Sequence, residues 1–120
     1  MTELPLVADH TVCQGATWRL RYRWLPAGEP ADLTGWAARM QIRGTYADDD
    51  PGEPLLEFTT GNGGITLDDV GNIEVLATAE QTGALTRTAR RYDLELVDGD
   101  GEVVRFAQGR IILSPEVTRD

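Results

Sequence analysis

A chain of 120 residues with 41% hydrophobic and 26% charged residues can bury one core, since about 19,000 Å² of extended surface would shrink to roughly 6,400 Å² on folding. This balance excludes global disorder, collagen and coiled coil, and no apolar run nears the roughly 20 residues of a bilayer crossing, so no membrane partner is expected. The net charge is −9, every base is arginine, and Asp48, Asp49, Asp50, Glu53, Glu57, Asp68, Asp69, Glu74 and Glu80 lie between Arg43 and Arg87 with no base among them. That acidic stretch would repel a polyanion, so nucleic acid is not expected as a partner.

In chain order, residues 1–12 read as an N-terminal arm. The start, Met-Thr-Glu-Leu-Pro, has neither the basic nor the apolar region of a signal peptide, so the protein is expected to stay in the cytosol in which it is made. Trp18-Arg19-Leu20-Arg21-Tyr22-Arg23-Trp24 alternates strictly, with large residues on one face and arginines on the other. Trp36-Ala37-Ala38-Arg39-Met40-Gln41-Ile42-Arg43 repeats the pattern. The Pro- and Gly-rich residues between them predict a long-looped hairpin. Three short strands follow, over residues 55–59, 64–67 and 72–77, separated by glycine-rich turns.

Thr78 with Gln81 three residues later has capping-box spacing and predicts one short helix over residues 79–85. Tyr92-Asp93-Leu94-Glu95-Leu96 alternates again, Asp98-Gly99-Asp100-Gly101 turns, Val103-Val104-Arg105-Phe106 returns, and Gly109 sets off a last strand, Arg110 to Leu113. Residues 115–120 read as a C-terminal arm. The whole chain, residues 1–120, is expected to form a single all-β domain, an antiparallel sandwich of about seven or eight strands with one short helix.

Candidate chemistry is sparse. Asp98-Gly-Asp100-Gly-Glu102 has the alternate carboxylates of a calcium loop but not its flanking helices or its twelfth-position acid, and it reads as a hairpin turn. Asp48-Asp49-Asp50 reads as a solvated loop. Cys13 cannot form an internal disulfide, and with only His10 beside it there is no structural zinc site. A nucleophile-base pair of Cys13 and His10 lacks an elbow and an oxyanion motif, and Cys13 is expected to be a small buried hydrophobe. No cofactor, metal or catalytic constellation is expected, and therefore no enzyme.

The outward arginines Arg19, Arg21, Arg23, Arg39 and Arg43 are expected to pair across strands with Glu57, Glu74, Asp93 and Glu95. Exposed arginine is also good interface material. By exposure, the partner-facing residues are these five arginines, the Asp48, Asp49 and Asp50 loop, and Arg119.

Asp32-Leu33-Thr34-Gly35-Trp36 through Arg43 resembles the opening hairpin of small β-sandwich proteins encoded in tailed-phage and prophage structural gene clusters, among them the N-terminal domains of baseplate upper proteins. Tyr92 to Leu96, Gly101 to Arg105, Gly109-Arg110 and Ser114 to Arg119 are similar to the closing strands of the same proteins. The resemblance implies an immunoglobulin-like sandwich and a non-enzymatic virion component of the tail, baseplate or fibre-attachment region. Such a protein is made in the bacterial host cytoplasm and docks in many symmetric copies on other virion proteins. Capsid decoration or cement is the first alternative, and a carbohydrate-binding module the second.

Overall fold

The computed structural model describes residues 4–44, 54–85 and 91–118. The period-two segments form β1 (Leu6–Val7), β2 (His10–Cys13), β3 (Trp18–Arg23), β4 (Ala37–Arg43), β5 (Pro54–Thr59), β6 (Ile65–Leu67), β7 (Asn72–Ala77), β8 (Arg91–Val97) and β9 (Val103–Ser114). One α-helix among the described residues, α1 (Ala79–Gly83), lies between β7 and β8, and a single 3-10 turn, Pro26–Gly28, follows β3.

The strands make two sheets. The larger runs β5-β4-β8-β9, with β1 and β2 laid along the far edge of β9, and the smaller runs β3-β7-β6. Pairing is antiparallel except where β1 and β2 run parallel to β9. This is the immunoglobulin order, with β3, β7 and β6 standing as strands B, E and D, and β9, β8, β4 and β5 as G, F, C and C′. The fold is an all-β sandwich.

Alternation decides what lies between the sheets. Met40, Ile42, Phe58, Leu94, Leu96 and Phe106 enter from the larger sheet, and Leu20, Ile73, Val75 and Ala77 from the smaller. Trp18, Trp24 and Trp36 are half-buried against this core, and Trp24 meets Trp36 edge to face at 5.7 Å.

The expected hairpin of Trp18–Trp24 with Trp36–Arg43 does not form. β3 pairs with β7, and β4 with β5 and β8. Alternation fixes which face of a strand is buried but not its partner, and the intervening chain is long enough to cross the roughly 10 Å between packed sheets. The crossover is held by Trp24 N–H to the Gly71 carbonyl at 2.8 Å and by Leu33 N–H to the Asp68 carbonyl at 3.1 Å, and Leu33 is buried. Gly71 sits at φ +84°, where an added Cβ would lie 2.4 Å from the Trp24 carbonyl oxygen, so only glycine fits this approach.

Two other expectations change. Much of the segment read as an N-terminal arm is woven into the sandwich, because the twelve residues of β9 extend beyond β8 and β1 and β2 cover its far edge. Residues 103–113, expected as two strands divided at Gly109, are one continuous strand. At the other end, residues 115–118 carry no regular structure, and Glu116 N–H donates to Gln14 Oε1 at 3.0 Å.

α1 has the capping box read from Thr78 and Gln81: Gln81 N–H donates to Thr78 Oγ1 at 3.1 Å, and Thr78 N–H to Gln81 Oε1 at 2.9 Å. The helix docks through Thr82, the one polar side chain buried among the described residues. Its hydroxyl donates to the Ala16 carbonyl at 2.8 Å and accepts from Gly15 N–H at 3.0 Å. Thr82→Val keeps the shape but strands both backbone groups, so we expect a loss of about 2 kcal/mol in denaturant unfolding. Unchanged stability would mean that the β2–β3 turn does not depend on this side chain.

Candidate functional site

Strand alternation turns polar residues outward on both sheets, and the predicted arginines divide between two opposite faces. On the smaller sheet, Arg21 Nε meets Glu74 Oε2 at 2.7 Å and Arg19 Nη1 meets Glu74 Oε1 at 3.3 Å. Arg23 donates from Nε to the Val70 carbonyl at 3.0 Å. On the larger sheet, Arg39 Nε contacts Glu95 Oε1 at 2.8 Å, and Arg43 donates to Gln41 Oε1 from Nε and Nη2 at 3.1 and 2.6 Å. The expected cross-strand pairing with Glu74 and Glu95 is present; Asp93 instead faces Arg105, which is outside the expected set, and Glu57 accepts from Gln41. Asp48, Asp49, Asp50 and Arg119 lie outside the described residues.

The larger sheet's outer face holds more than the sequence suggested. Three cross-strand rows run over β4, β8 and β9: Arg43, Arg91 and Arg110; then Gln41, Asp93 and Gln108; then Arg39, Glu95 and Arg105. A bulge makes this possible. Between Leu94 and Glu95 the pairing shifts by a residue, and Phe106 and Ala107 both turn inward. Arg105 and Arg110 are five positions apart and would otherwise fall on opposite faces.

The rows surround a depression of about 660 Å³ whose lining includes Arg43, Arg91, Arg105 and Arg110 against Asp93 and Glu95, four bases to two acids. Arg105 Nε lies 3.9 Å from Asp93 Oδ2, and Arg110 Nη2 lies 3.2 Å from Asp9 Oδ2, with both arginines more than half exposed. Burial raises the Asp93 carboxyl above its usual 3.8, and neighbouring Glu95 adds to this against the opposing pull of Arg105, Arg43 and Arg39.

Behind it, a polar chain joins the two sheets. His10 Nε2 is 2.8 Å from the Tyr22 hydroxyl, Tyr22 is 3.1 Å from the Tyr92 hydroxyl, and Tyr92 donates to the Ala8 carbonyl at 2.7 Å. Aromatic rings pack around His10, with Tyr92 at 5.4 Å and Tyr22 at 6.1 Å between centroids.

Cys13 and His10 do not meet. They are three apart on β2 and point to opposite sides, with Cys13 exposed beside buried Val12. The expectation of a buried Cys13 is thus corrected, because the alternation of β2 places Val12 inward. Cys13 should consequently react with a thiol reagent in the folded protein at nearly the rate of a free thiol; protection until unfolding would contradict this exposure.

The Asp98 turn and the glycine-rich turn after β5 use their side chains on their own backbone. Asp98 Oδ1 accepts from Asp100 and Glu102 N–H at 2.8 and 2.9 Å, and Asn62 Oδ1 accepts from Thr59 and Gly64 N–H at 2.9 and 2.8 Å. Among the described residues, no three His, Cys, Asp or Glu side chains are grouped to hold a metal ion.

No family model matches the chain, and no curated protein matches it.

Proposed function

We propose that the chain is a non-enzymatic structural component of a phage virion, in the tail, baseplate or fibre-attachment region, and that it works by docking on other virion proteins. The observation that carries the docking role is the outer face of the larger sheet, where five arginines and their carboxylates form rows across three adjacent strands. Arginine over a rigid sheet supplies planar, multidentate donors at low conformational cost, which suits protein-protein contact. The assignment to a virion is supported by the resemblance of residues 32–43 and of the closing strands to phage sandwich proteins. A sugar-binding role is less favoured, because Trp18, Trp24 and Trp36 pack against the core rather than presenting open ring faces.

Cryo-electron microscopy of purified particles, from the phage or prophage whose gene cluster encodes the chain, tests this directly. Density for the sandwich in the tail, baseplate or fibre-attachment region is expected. Density on the capsid lattice would favour decoration or cement instead, and absence from the particle would overturn the proposal.

A further inference from the structure

We infer that the open edge of β3 receives an extended strand of another protein, one that carries carboxylates at every second residue. The inference rests on the docking role proposed above and adds to it a second surface, with the chemistry of the partner.

Sheet edges invite further strands, and the described edges of this sandwich are protected unequally. The far edge of β9 is covered by β1 and β2. β1, β2 and β6 are only two, four and three residues long. β5 starts at a proline, and its register with β4 shifts between Ile42 and Arg43. β3 has none of these protections: it runs for six residues without proline, pairs with β7 in unbroken register, and has no strand on its other side among the described residues. Its inward side chains, Trp18, Leu20 and Tyr22, carry no charge that would block a neighbour.

The ladder fixes which backbone groups are open. Trp24 N–H donates to the Gly71 carbonyl at 2.8 Å, so Tyr22 with Ile73, Leu20 with Val75 and Trp18 with Ala77 are the hydrogen-bonded pairs. On the other flank of β7, Leu76 N–H donates to the Gly64 carbonyl at 2.9 Å, which gives the same phase. The N–H and C=O groups of Arg19, Arg21 and Arg23 therefore point away from β7. These three residues turn their backbone groups to the open edge and their guanidinium groups to the outer face.

The arginines decide what can pair there. Opposite them β7 holds Leu76, Glu74 and Asn72, a single carboxylate. Glu74 meets Arg19 through Oε1 and Arg21 through Oε2, and Arg23 donates to the Val70 carbonyl close to Asp68. Arg19 and Arg21 remain more than half exposed, and each has further N–H donors for a carboxylate on its open side. A second copy does not fit. Two β3 strands related by a two-fold axis through Arg21 would set Arg21 against Arg21 and Arg19 against Arg23, and like charges so placed oppose pairing. Nor do the other edge strands match, since β1, β2 and β6 hold no acid and β5 only Glu57. Acids at alternate positions of a foreign strand meet an arginine at each step, and the main-chain ladder supplies the rest of the binding.

Two-dimensional NMR of the isotope-labelled full chain at neutral pH tests this with the peptide Thr-Glu-Val-Glu-Val-Glu-Thr. Its addition should shift the amide signals of Arg19, Arg21 and Arg23 and slow their hydrogen exchange. Replacing the three glutamates by glutamine, or raising salt to about 0.5 M, should weaken binding about tenfold or more. In an antiparallel pairing the glutamate amides bond to β3, so N-methylating them keeps the charge, removes those donors and should weaken binding as much. Arg21→Gln, a change at an exposed position, should weaken it about threefold.

No binding, binding that shifts amides elsewhere, or equal binding of the N-methylated peptide would overturn the inference, the last by showing charge attraction without an added strand. Association of the chain with itself through β3 would overturn it in favour of a second copy. A bare β3 edge in the particle sinks this inference alone. Peptide binding at β3 by a chain that is absent from the particle leaves the inference standing and sinks the virion role.

Discussion

Gly109→Ala is expected to lower the unfolding midpoint by roughly 10 °C, from a loss of about 3 kcal/mol. The backbone of β9 at Gly109 runs so close to the β1–β2 link that an added Cβ would lie 2.0 Å from the Ala8 carbonyl oxygen and 2.7 Å from its carbon. Backbone cannot swing aside as a side chain can, so either β9 or the link must move. Several bonds depend on the present spacing: Ala8 N–H to the Gln108 carbonyl at 2.9 Å, Arg110 N–H to Asp9 Oδ1 at 2.9 Å, and the Tyr92 hydroxyl to the Ala8 carbonyl at 2.7 Å. Overpacking alone costs about 1–3 kcal/mol, and stranding the part-buried Tyr92 hydroxyl adds about 1 kcal/mol or more. Differential scanning calorimetry checks the result. A variant that melts with the wild type would mean that the N-terminal strands contribute little to the folded state.

The same glycine shows what could be read from the sequence and what could not. Period two alone was enough to identify β3, β4, β7 and β8, because each buries one face against the opposite sheet and a strand's alternation is a local property. The capping box at Thr78 and Gln81 was legible for the same reason. Partnership was not: Trp18–Arg23 and Ala37–Arg43 look like two arms of a hairpin, yet the sheet to which each belongs depends on contacts with β7 and β8, far away in the chain. Gly109 looked like a break between strands but marks a close approach of two backbones, which no local pattern reveals. The arginine rows of the larger sheet were half legible. Arg39 and Arg43 followed from the alternation of β4, and the alternation of β8 could have added Arg91; Arg110 was hidden by a bulge that reverses the parity of β9 after Arg105. No local pattern reveals the link of His10 to Tyr22 and Tyr92, which depends on how β2, β3 and β8 come together.

That link makes stability depend on pH from both sides. Tyr92 spends its single proton on the Ala8 carbonyl, so Tyr22 must donate to Tyr92, and His10 must therefore donate to Tyr22 from a protonated Nε2. A further proton on His10 has to be placed among the surrounding rings. Burial consequently holds the imidazole below its usual 6.5, against a weaker opposing pull from Asp9. Unfolded chains then bind more protons than folded ones just below pH 6.5, so His10 contributes stability that is complete above that value and lost as pH falls through the folded-state pKa. Burial raises the hydroxyls of Tyr22 and Tyr92 above their usual 10.0, and for Tyr92 the neighbouring Tyr22 adds to the shift. In alkali the unfolded chain loses these protons first, and stability falls above about pH 10. Asp93, raised from 3.8 by burial, acts in the opposite sense to His10 and at the lower carboxylate range. Denaturant unfolding from pH 5 to 11 should therefore show a plateau between shoulders near 6.5 and 10. His10→Gln retains a side-chain N–H donor without titrating and should flatten the acid shoulder while leaving the alkaline one. Tyr92→Phe should cost about 2 kcal/mol at neutral pH, because it strands the Ala8 carbonyl and the Tyr22 hydroxyl, and should reduce the alkaline fall. An acid shoulder that survives His10→Gln would assign the titration to another group and remove His10 from the account.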